Sequence, residues 1–176
     1  MGIQGGPKPG SGRNALAANS QRISLARTAL LDLPAVLTPV DWTAETFKLG
    51  IVSFLSGQAA ESFGIPAVNG AKVVIEAFNK GEAPAPYNKK GFGGVTIEPI
   101  YVDENGGATK QVQEMRNLYD REKVDAVVGY VGSGDCLAVA PVAEEMKKFL
   151  ILYDCGTPRI FEEGKYTYVF RTASHA

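Results

Sequence analysis

The residues best suited to chemistry stand in glycine-containing stretches that each follow an apolar run. The clearest is DAVVGYVGSGDC, residues 125–136, in which a buried strand is expected to lead through a glycine-rich loop into a helix. Backbone amides at such a place suit a phosphate or a carboxylate, or form only a tight turn. Ser133 lies at this helix start, and Thr157 lies at the matching place one strand later. Either hydroxyl alone could equally be a local cap, but two at equivalent strand ends favour hydrogen bonds to a bound carboxylate.

Signatures of catalysis and of nucleotide binding are missing from the sequence. No GxGxxG, GxxxxGKS/T or GxSxG motif occurs, and the single histidine, His175, stands near the end of the chain. Cys136 or Cys155 could act as a helix-terminal thiolate, although a small buried cysteine is the ordinary alternative. Asp103 and Glu104 could bind a metal or act in phosphotransfer, with a solvated capping pair as the alternative. We predict no catalytic residue, no metal ligand and no cofactor.

Composition limits the remaining classes of partner. The 176 residues carry a net charge of −1, with 45% hydrophobic and 21% charged residues, which is ordinary for one globular domain. No basic stripe interleaved with aromatic residues occurs, so we predict no nucleic-acid partner. No apolar run approaches the roughly 18 residues that a membrane-spanning helix needs. Two cysteines without CxxC spacing and one histidine do not make a zinc site.

The chain divides into two unequal parts. Residues 1–46 begin with a stretch rich in Gly, Pro, Ser and Asn, which predicts an irregular or disordered segment or a misassigned start. The apolar stretch 29–37 within them is similar to the core of a secretory signal, but Asp32 and Pro34 interrupt it. Residues 47–176 alternate regularly between strand and helix patterns and form the predicted domain.

That alternation predicts an α/β fold of three layers, with helices on both faces of a mostly parallel, doubly wound sheet. Ligands bind such sheets outside the carboxyl ends of the strands, near the switch in strand order. The loops that follow the first four strands should therefore cluster around one crevice. The predicted strands are 47–55, 95–105, 124–131, 149–156 and an extended segment 166–176, and the predicted helices are 66–81, 107–122 and 135–148.

An ordered set of sequence pieces resembles the first lobe of type I periplasmic solute-binding proteins of the branched-chain amino acid transporter group. The pieces are KLGIVSFLSGQAAESFG, PAVNGAKVVIEAFNKG, VDENGGATKQVQEMRNLYDREKVDAVVGYVGSG, APVAEEMKKFLILYDCGTP and YVFRT. They cover about three quarters of the chain in the family's order, and residues 1–46 lie outside them. The resemblance implies that the chain is the first of two lobes and ends near the hinge, so that the C-terminal lobe is missing.

The resemblance also implies which residues contact a solute. It places Ser133 as a carboxylate donor, Cys155 at the ligand through its carbonyl, Thr157 through its hydroxyl and amide, and Phe63 as an aromatic side chain against the ligand. The full implied set is Ser56, Phe63, Val131, Gly132, Ser133, Cys155, Gly156 and Thr157. Two features depart from the family pattern: Asp135 at a helix start, and the Cys155–Gly156 pair in place of small apolar residues.

Asp135 would repel an anionic ligand nearby unless its side chain turns outward. The implied solute is therefore a small polar or aromatic organic molecule, with an amino acid as one option. The resemblance brings Cys136 and Cys155 close together, and they could bond in an oxidising periplasm if their Cα atoms lie roughly 4.4–6.8 Å apart.

The implied function is that of the periplasmic solute-binding component of an ABC importer, with a small-molecule solute and a membrane permease as partners. Because the second lobe closes over the ligand, this chain alone should bind its solute weakly or not at all. Two alternatives stay open. One is the ligand-sensing domain of a receptor or regulator, and the other is a small α/β hydrolase that uses Cys136 or Asp103.

Overall fold

Five parallel strands form the centre of the fold. The computed structural model describes residues 46–173. The strand order is β2-β1-β3-β4-β5, and every neighbouring pair is parallel. The strands are β1 (Thr46–Ser53), β2 (Thr96–Asp103), β3 (Ala126–Gly129), β4 (Phe149–Leu152) and β5 (Val169–Arg171), and the α-helices are α1 (Ile65–Lys80), α2 (Ala108–Asp120), α3 (Ser133–Glu145) and α4 (Arg159–Glu163).

The two faces of β1 bury against different helices, because successive side chains of a strand point to opposite faces. Ile51 joins Val68 and Ile75 of α1 in a small apolar cluster, whereas Val52 belongs to a larger one. The larger cluster contains residues of α2, α3 and the strands, including Met115, Leu118, Val127, Val139, Ala143, Leu150 and Leu152. The predicted arrangement of three α/β/α layers is therefore confirmed.

The order of the strands reverses between β1 and β3, which pair directly although β2 lies between them in the sequence. The connections that leave β1 and β3 lead away from each other at this switch in strand order. A crevice is therefore left open beyond the carboxyl ends of the strands. Backbone pairing continues into the loops there, since the Tyr130 amide donates to the Val52 carbonyl at 3.1 Å and the Tyr153 amide to the Gly129 carbonyl at 3.2 Å. The loops that follow β1 to β4 lie side by side at this edge, as the sequence predicts.

Several predicted boundaries differ from the structure. The predicted loop after β1 contains a π-helical turn, Ala60–Gly64, which packs so tightly on Phe54 that a Cβ at Gly64 would meet the Phe54 carbonyl oxygen. Helix α3 begins at Ser133 and ends at Glu145, earlier at both ends than predicted. Strand β4 ends at Leu152, and the short helix α4 was not predicted.

Helix α1 turns Val68 and Ile75 toward the sheet and leaves Val74 exposed. The predictions for the two ends of the chain fall outside the described residues. Residues 1–46 lie outside the described part of the chain except for Thr46, which begins β1, and so do residues 174–176. No helix within residues 46–173 is long and apolar enough to cross a membrane.

Candidate functional site

Asp103, the last residue of β2, fastens the loop after β1 to the edge of the sheet. Its carboxylate accepts hydrogen bonds from the Leu55 amide at 2.9 Å, from the Ser56 hydroxyl at 2.5 Å and from the Asn105 amide at 3.0 Å. The Asn105 side chain in turn donates to the Ser56 hydroxyl at 3.0 Å. Ser56 is thus held inside the protein's own network, with both its donor and one acceptor position in use.

Glu104 joins the loop after β2 to the loop after β3. Its carboxylate accepts hydrogen bonds from the Val131 amide at 3.0 Å and from the Gly132 amide at 2.7 Å. The side chain is fully buried. Two of the backbone amides that the sequence suggests for a ligand therefore already hold a carboxylate of this chain.

Asp135, in the first turn of α3, points back to the same loop. A Cβ built on Gly132 would lie 2.6 Å from the Asp135 Oδ2 atom and 3.1 Å from the Glu104 Oε1 atom. A side chain at position 132 would therefore displace the Asp135 carboxylate from its present place. Asp135 is 8% exposed, so its side chain does not turn outward to solvent.

Ser133 and Thr157 present hydroxyl groups at the edge without partners among the described residues. Ser133 is exposed at the start of α3, and Thr157 is half-buried in the loop after β4. The first turn of α3 is covalently joined to the loop after β4, because Cys136 and Cys155 form a disulfide with a Cα separation of 6.4 Å, and both cysteines are fully buried. The disulfide rules out a free thiolate at either position in this structure, so the hydrolase alternative loses Cys136 as its nucleophile.

Three residues that sequence reasoning did not single out shape the far side of the edge. Arg171, at the end of β5, donates from Nη1 to the Thr157 carbonyl at 2.7 Å and to the Cys155 carbonyl at 3.3 Å. Ser53 and Tyr153 share a hydrogen bond of 2.7 Å between their hydroxyl groups, which links the ends of β1 and β4. Their one sequence signal is their position at or just after a strand end.

Phe63 is the aromatic residue predicted to lie against a solute. It stands in the π-helical turn and is 53% exposed. An aromatic side chain so exposed on a tightly packed turn is available for contact with an apolar or aromatic group. Val131 and Gly132 are partly buried, and Gly156 is likewise partly buried between Cys155 and Thr157.

The carboxyl groups at the edge differ in the direction in which the structure shifts their pKa values. Burial raises the pKa of Glu104 to about 7, against the amide hydrogen bonds that lower it, and the charges of Asp135 and Asp103 raise it further. Burial also raises the pKa of Asp135. Burial would raise the pKa of Asp103 as well, but its hydrogen bonds from Ser56, Asn105 and Leu55 outweigh that effect and lower it.

The donors and acceptors at this edge are suited to binding a small organic molecule. Within residues 46–173, no group of three or more His, Cys, Asp or Glu side chains is arranged to hold a metal ion. The free hydroxyls, the exposed aromatic ring and the fixed loop carbonyls can position hydrogen-bonding and apolar groups of a ligand. The edge is flanked by carboxylates rather than by a phosphate-binding arrangement.

Comparison with known proteins agrees with this fold. Residues 46–176 match the family model described as periplasmic binding protein. No curated protein matches the sequence. The chain resembles solved structures of solute-binding proteins over about three quarters of its own length.

Three of these structures illustrate the likeness. A periplasmic binding protein from Burkholderia mallei is 25% identical with a TM-score of 0.64, and the match covers 74% of this chain and 32% of that one. An ABC transporter solute-binding protein from Rhodopseudomonas palustris, in complex with 4-hydroxybenzoate, is 27% identical with a TM-score of 0.58, over 74% and 32% of the two chains. A branched-chain amino acid transporter substrate-binding protein from Streptococcus pneumoniae, in complex with isoleucine, is 24% identical with a TM-score of 0.63, over 74% and 34%.

The fold and the crevice edge define a lobe of a type I periplasmic solute-binding protein. The chain belongs to the periplasmic binding protein family. It spans about a third of the length of the solved structures that it matches. The family and these structures are solute-binding proteins, which points to an extracytoplasmic setting.

Proposed function

We propose that this chain is the solute-binding first lobe of a periplasmic component of an ABC importer. The solute is an amino acid or another small polar or aromatic carboxylate, and no catalysis takes place. The observation that carries the proposal is a pair of hydroxyls without partners among the described residues, that of Ser133 at the start of α3 and that of Thr157 in the loop after β4, on two segments that a disulfide joins at the switch-point edge. The ligands of the similar solved structures, isoleucine and 4-hydroxybenzoate, belong to the same classes.

In this proposal the solute carboxylate accepts hydrogen bonds from Ser133 and Thr157, and Phe63 covers the apolar part of the solute. The Cys155 carbonyl, fixed by Arg171, is the acceptor for an ammonium or hydroxyl group. The remaining proposed contacts are Ser56, Val131, Gly132 and Gly156. Hydrogen bonds to a charged group are each worth roughly 1.5–3 kcal/mol, so the loss of one lowers affinity about tenfold to a hundredfold.

A second lobe and a membrane permease complete the proposed system. Closure of two lobes around a solute excludes water and supplies contacts that one lobe lacks. We therefore expect the 176-residue chain to bind its solute with a dissociation constant well above the micromolar range. Isothermal titration that gives micromolar or tighter binding to this chain would contradict the role of a missing lobe.

The site itself can be tested by amide NMR spectra of the 176-residue chain during titration with isoleucine and with 4-hydroxybenzoate. We expect saturable shifts at the amides of Phe63, Ser133, Gly134 and Thr157 for at least one of the two compounds. Thr157→Val should weaken that binding by about tenfold or more. Thr96→Val, at the opposite end of β2, is the matched control and should leave it unchanged. Shifts that spare the crevice amides, or equal binding by Thr157→Val, would refute the assigned site.

A further inference from the structure

We propose that Glu104 restricts which solutes the crevice accepts, because its carboxylate occupies backbone amides that would otherwise be open to a solute anion. The inference deepens the proposed function and rests on it. It assigns to Glu104 a role in specificity that the sequence resemblance does not give to it. The solutes it favours carry one anionic group, and those it disfavours carry two.

The hydrogen bonds show that the loop after β3 is an anion-binding arrangement that is already filled. Both oxygens of Glu104 accept from the Val131 amide, and Oε1 also accepts from the Gly132 amide at 2.7 Å. Two successive amides directed at one carboxylate form the kind of concave donor set that binds anions. The ion pairs found among the described residues lie elsewhere, at Lys80–Glu76, Arg116–Glu145 and Arg159–Glu163. The charge of Glu104 is therefore held by amides rather than by a described cation.

The position of Glu104 next to the remaining donors affects how well a solute anion can bind. The next free donors along the chain belong to Ser133, which directly follows Gly132, so a solute carboxylate that binds there lies within about two residue lengths, roughly 7 Å, of the Glu104 carboxylate. Asp135 adds a second carboxyl group on the other side of Gly132. At that distance, and with an effective dielectric constant of about 20, the negative charge of ionised Glu104 lowers the affinity for an anion by about fiftyfold. One anionic group can be compensated by Ser133 and Thr157, whereas a second one has no free donors in this loop.

The inference that Glu104 fills an anion-binding site formed by the Val131 and Gly132 amides can be tested without any solute. Glu104→Ala removes the side-chain carboxylate and leaves a space of about the size of acetate. At pH 8 we expect sodium acetate to shift the Val131 and Gly132 amide resonances of this variant saturably, and to leave those of the wild-type chain unshifted. Glu98→Ala, which removes an exposed glutamate of the preceding strand β2, is the control and should behave as the wild type. An unshifted Glu104→Ala spectrum that is otherwise folded would overturn the inference.

A second variant covers the case in which Glu104→Ala does not fold. Glu104→Gln keeps the shape and one acceptor but removes the charge, and it can be compared with the wild type at pH 8 in titrations with 4-hydroxybenzoate, with terephthalate and with neutral 4-hydroxybenzamide. We expect the affinity for terephthalate to rise by about tenfold or more, that for 4-hydroxybenzoate to rise less, and that for the amide to stay the same. Equal changes for all three compounds would show a purely structural role for Glu104 and would overturn the inference.

The two proposals fail in different ways. Acetate binding by Glu104→Ala, together with an absence of binding by isoleucine and all benzoate compounds, would support the filled anion site and contradict solute binding at this crevice. If the chain binds solutes and Glu104→Gln shows the same preference for one anionic group over two as the wild type, the role of Glu104 is contradicted and the proposed function stands.

Discussion

The disulfide between Cys136 and Cys155 should stabilise the lobe by an amount that its place in the chain defines. The two residues are 19 apart in the sequence, and the bond closes a loop that contains most of α3 and all of β4. In the chain-entropy model, a cross-link that closes a loop of this length lowers the entropy of the unfolded chain by the equivalent of about 3 kcal/mol. We therefore expect Cys136→Ala/Cys155→Ala to lower the free energy of unfolding by about 3 kcal/mol.

Urea denaturation followed by circular dichroism measures this difference directly. The double variant should also melt roughly 10 °C below the oxidised wild type, given the usual relation between stability and melting temperature in a domain of this size. Wild-type protein unfolded in the presence of dithiothreitol should behave like the double variant, and dithiothreitol should not affect the double variant itself. Both sulfur atoms are buried, so reduction of the folded wild type should require opening of the lobe.

Two results would refute this reasoning. A loss of less than about 1 kcal/mol would show that the cross-link does not restrict the unfolded chain as its loop length requires. A single variant, Cys155→Ala, that is much less stable than the double variant would point to an unpaired buried thiol, rather than to the lost cross-link, as the source of the effect.

Two further predictions concern the edge strand and the buried acid. The Asn79 side chain of α1 forms two hydrogen bonds with the backbone of β2, since it donates to the Ile97 carbonyl and accepts from the Ile97 amide, each at 2.8 Å. Asn79→Ala should therefore lower the free energy of unfolding, measured by urea denaturation, by about 1–3 kcal/mol. Asn79→Asp retains the acceptor alone, so its free energy of unfolding should lie between those of the wild type and Asn79→Ala. An Asn79→Ala variant as stable as the wild type would contradict the stabilising role of these two hydrogen bonds. Because burial raises the pKa of Glu104 from 4.5 to about 7, the folded chain holds that proton more tightly than the unfolded chain does. The protonated side chain therefore adds to the free energy of unfolding by an amount that is fully present below pH 4.5 and is lost as the pH rises through 7. The loss should be about 3 kcal/mol, and Glu104→Gln should remove this part of the pH dependence of stability.

The parallel sheet could be predicted because its signals are local. The run 124–131 is nearly all apolar, as required of a strand that is buried on both faces, and Val68 and Ile75 are spaced to face one side of a helix. The clustering of the loops then follows from the rule that carboxyl ends of parallel strands share one edge. Ser133 and Thr157 could be assigned to that edge because each lies in the segment that follows a strand, Ser133 after β3 and Thr157 after β4.

The role of Glu104 could not be predicted, because its partners are distant in the sequence. The Val131 amide lies 27 residues away, and no local pattern distinguishes a carboxylate that solvates a neighbouring loop from one that faces water. The same reasoning applies to Arg171, whose acceptors are carbonyl groups that carry no sequence signal. Asp135 stood out as a departure from the family pattern, but its inward orientation depends on the absence of a side chain at Gly132.

Glu104 also has a mechanical consequence for the sheet. Strands β2 and β3 are not neighbours, and the ladder that joins the two halves of the sheet pairs four residues of β1 with four of β3. Glu104 adds a link between the halves, since its carboxylate accepts from the Val131 and Gly132 amides and its carbonyl accepts from the Gln111 side chain of α2 at 2.7 Å. We therefore expect the loop after β3 and the first turn of α2 to resist separation at the edge of the crevice.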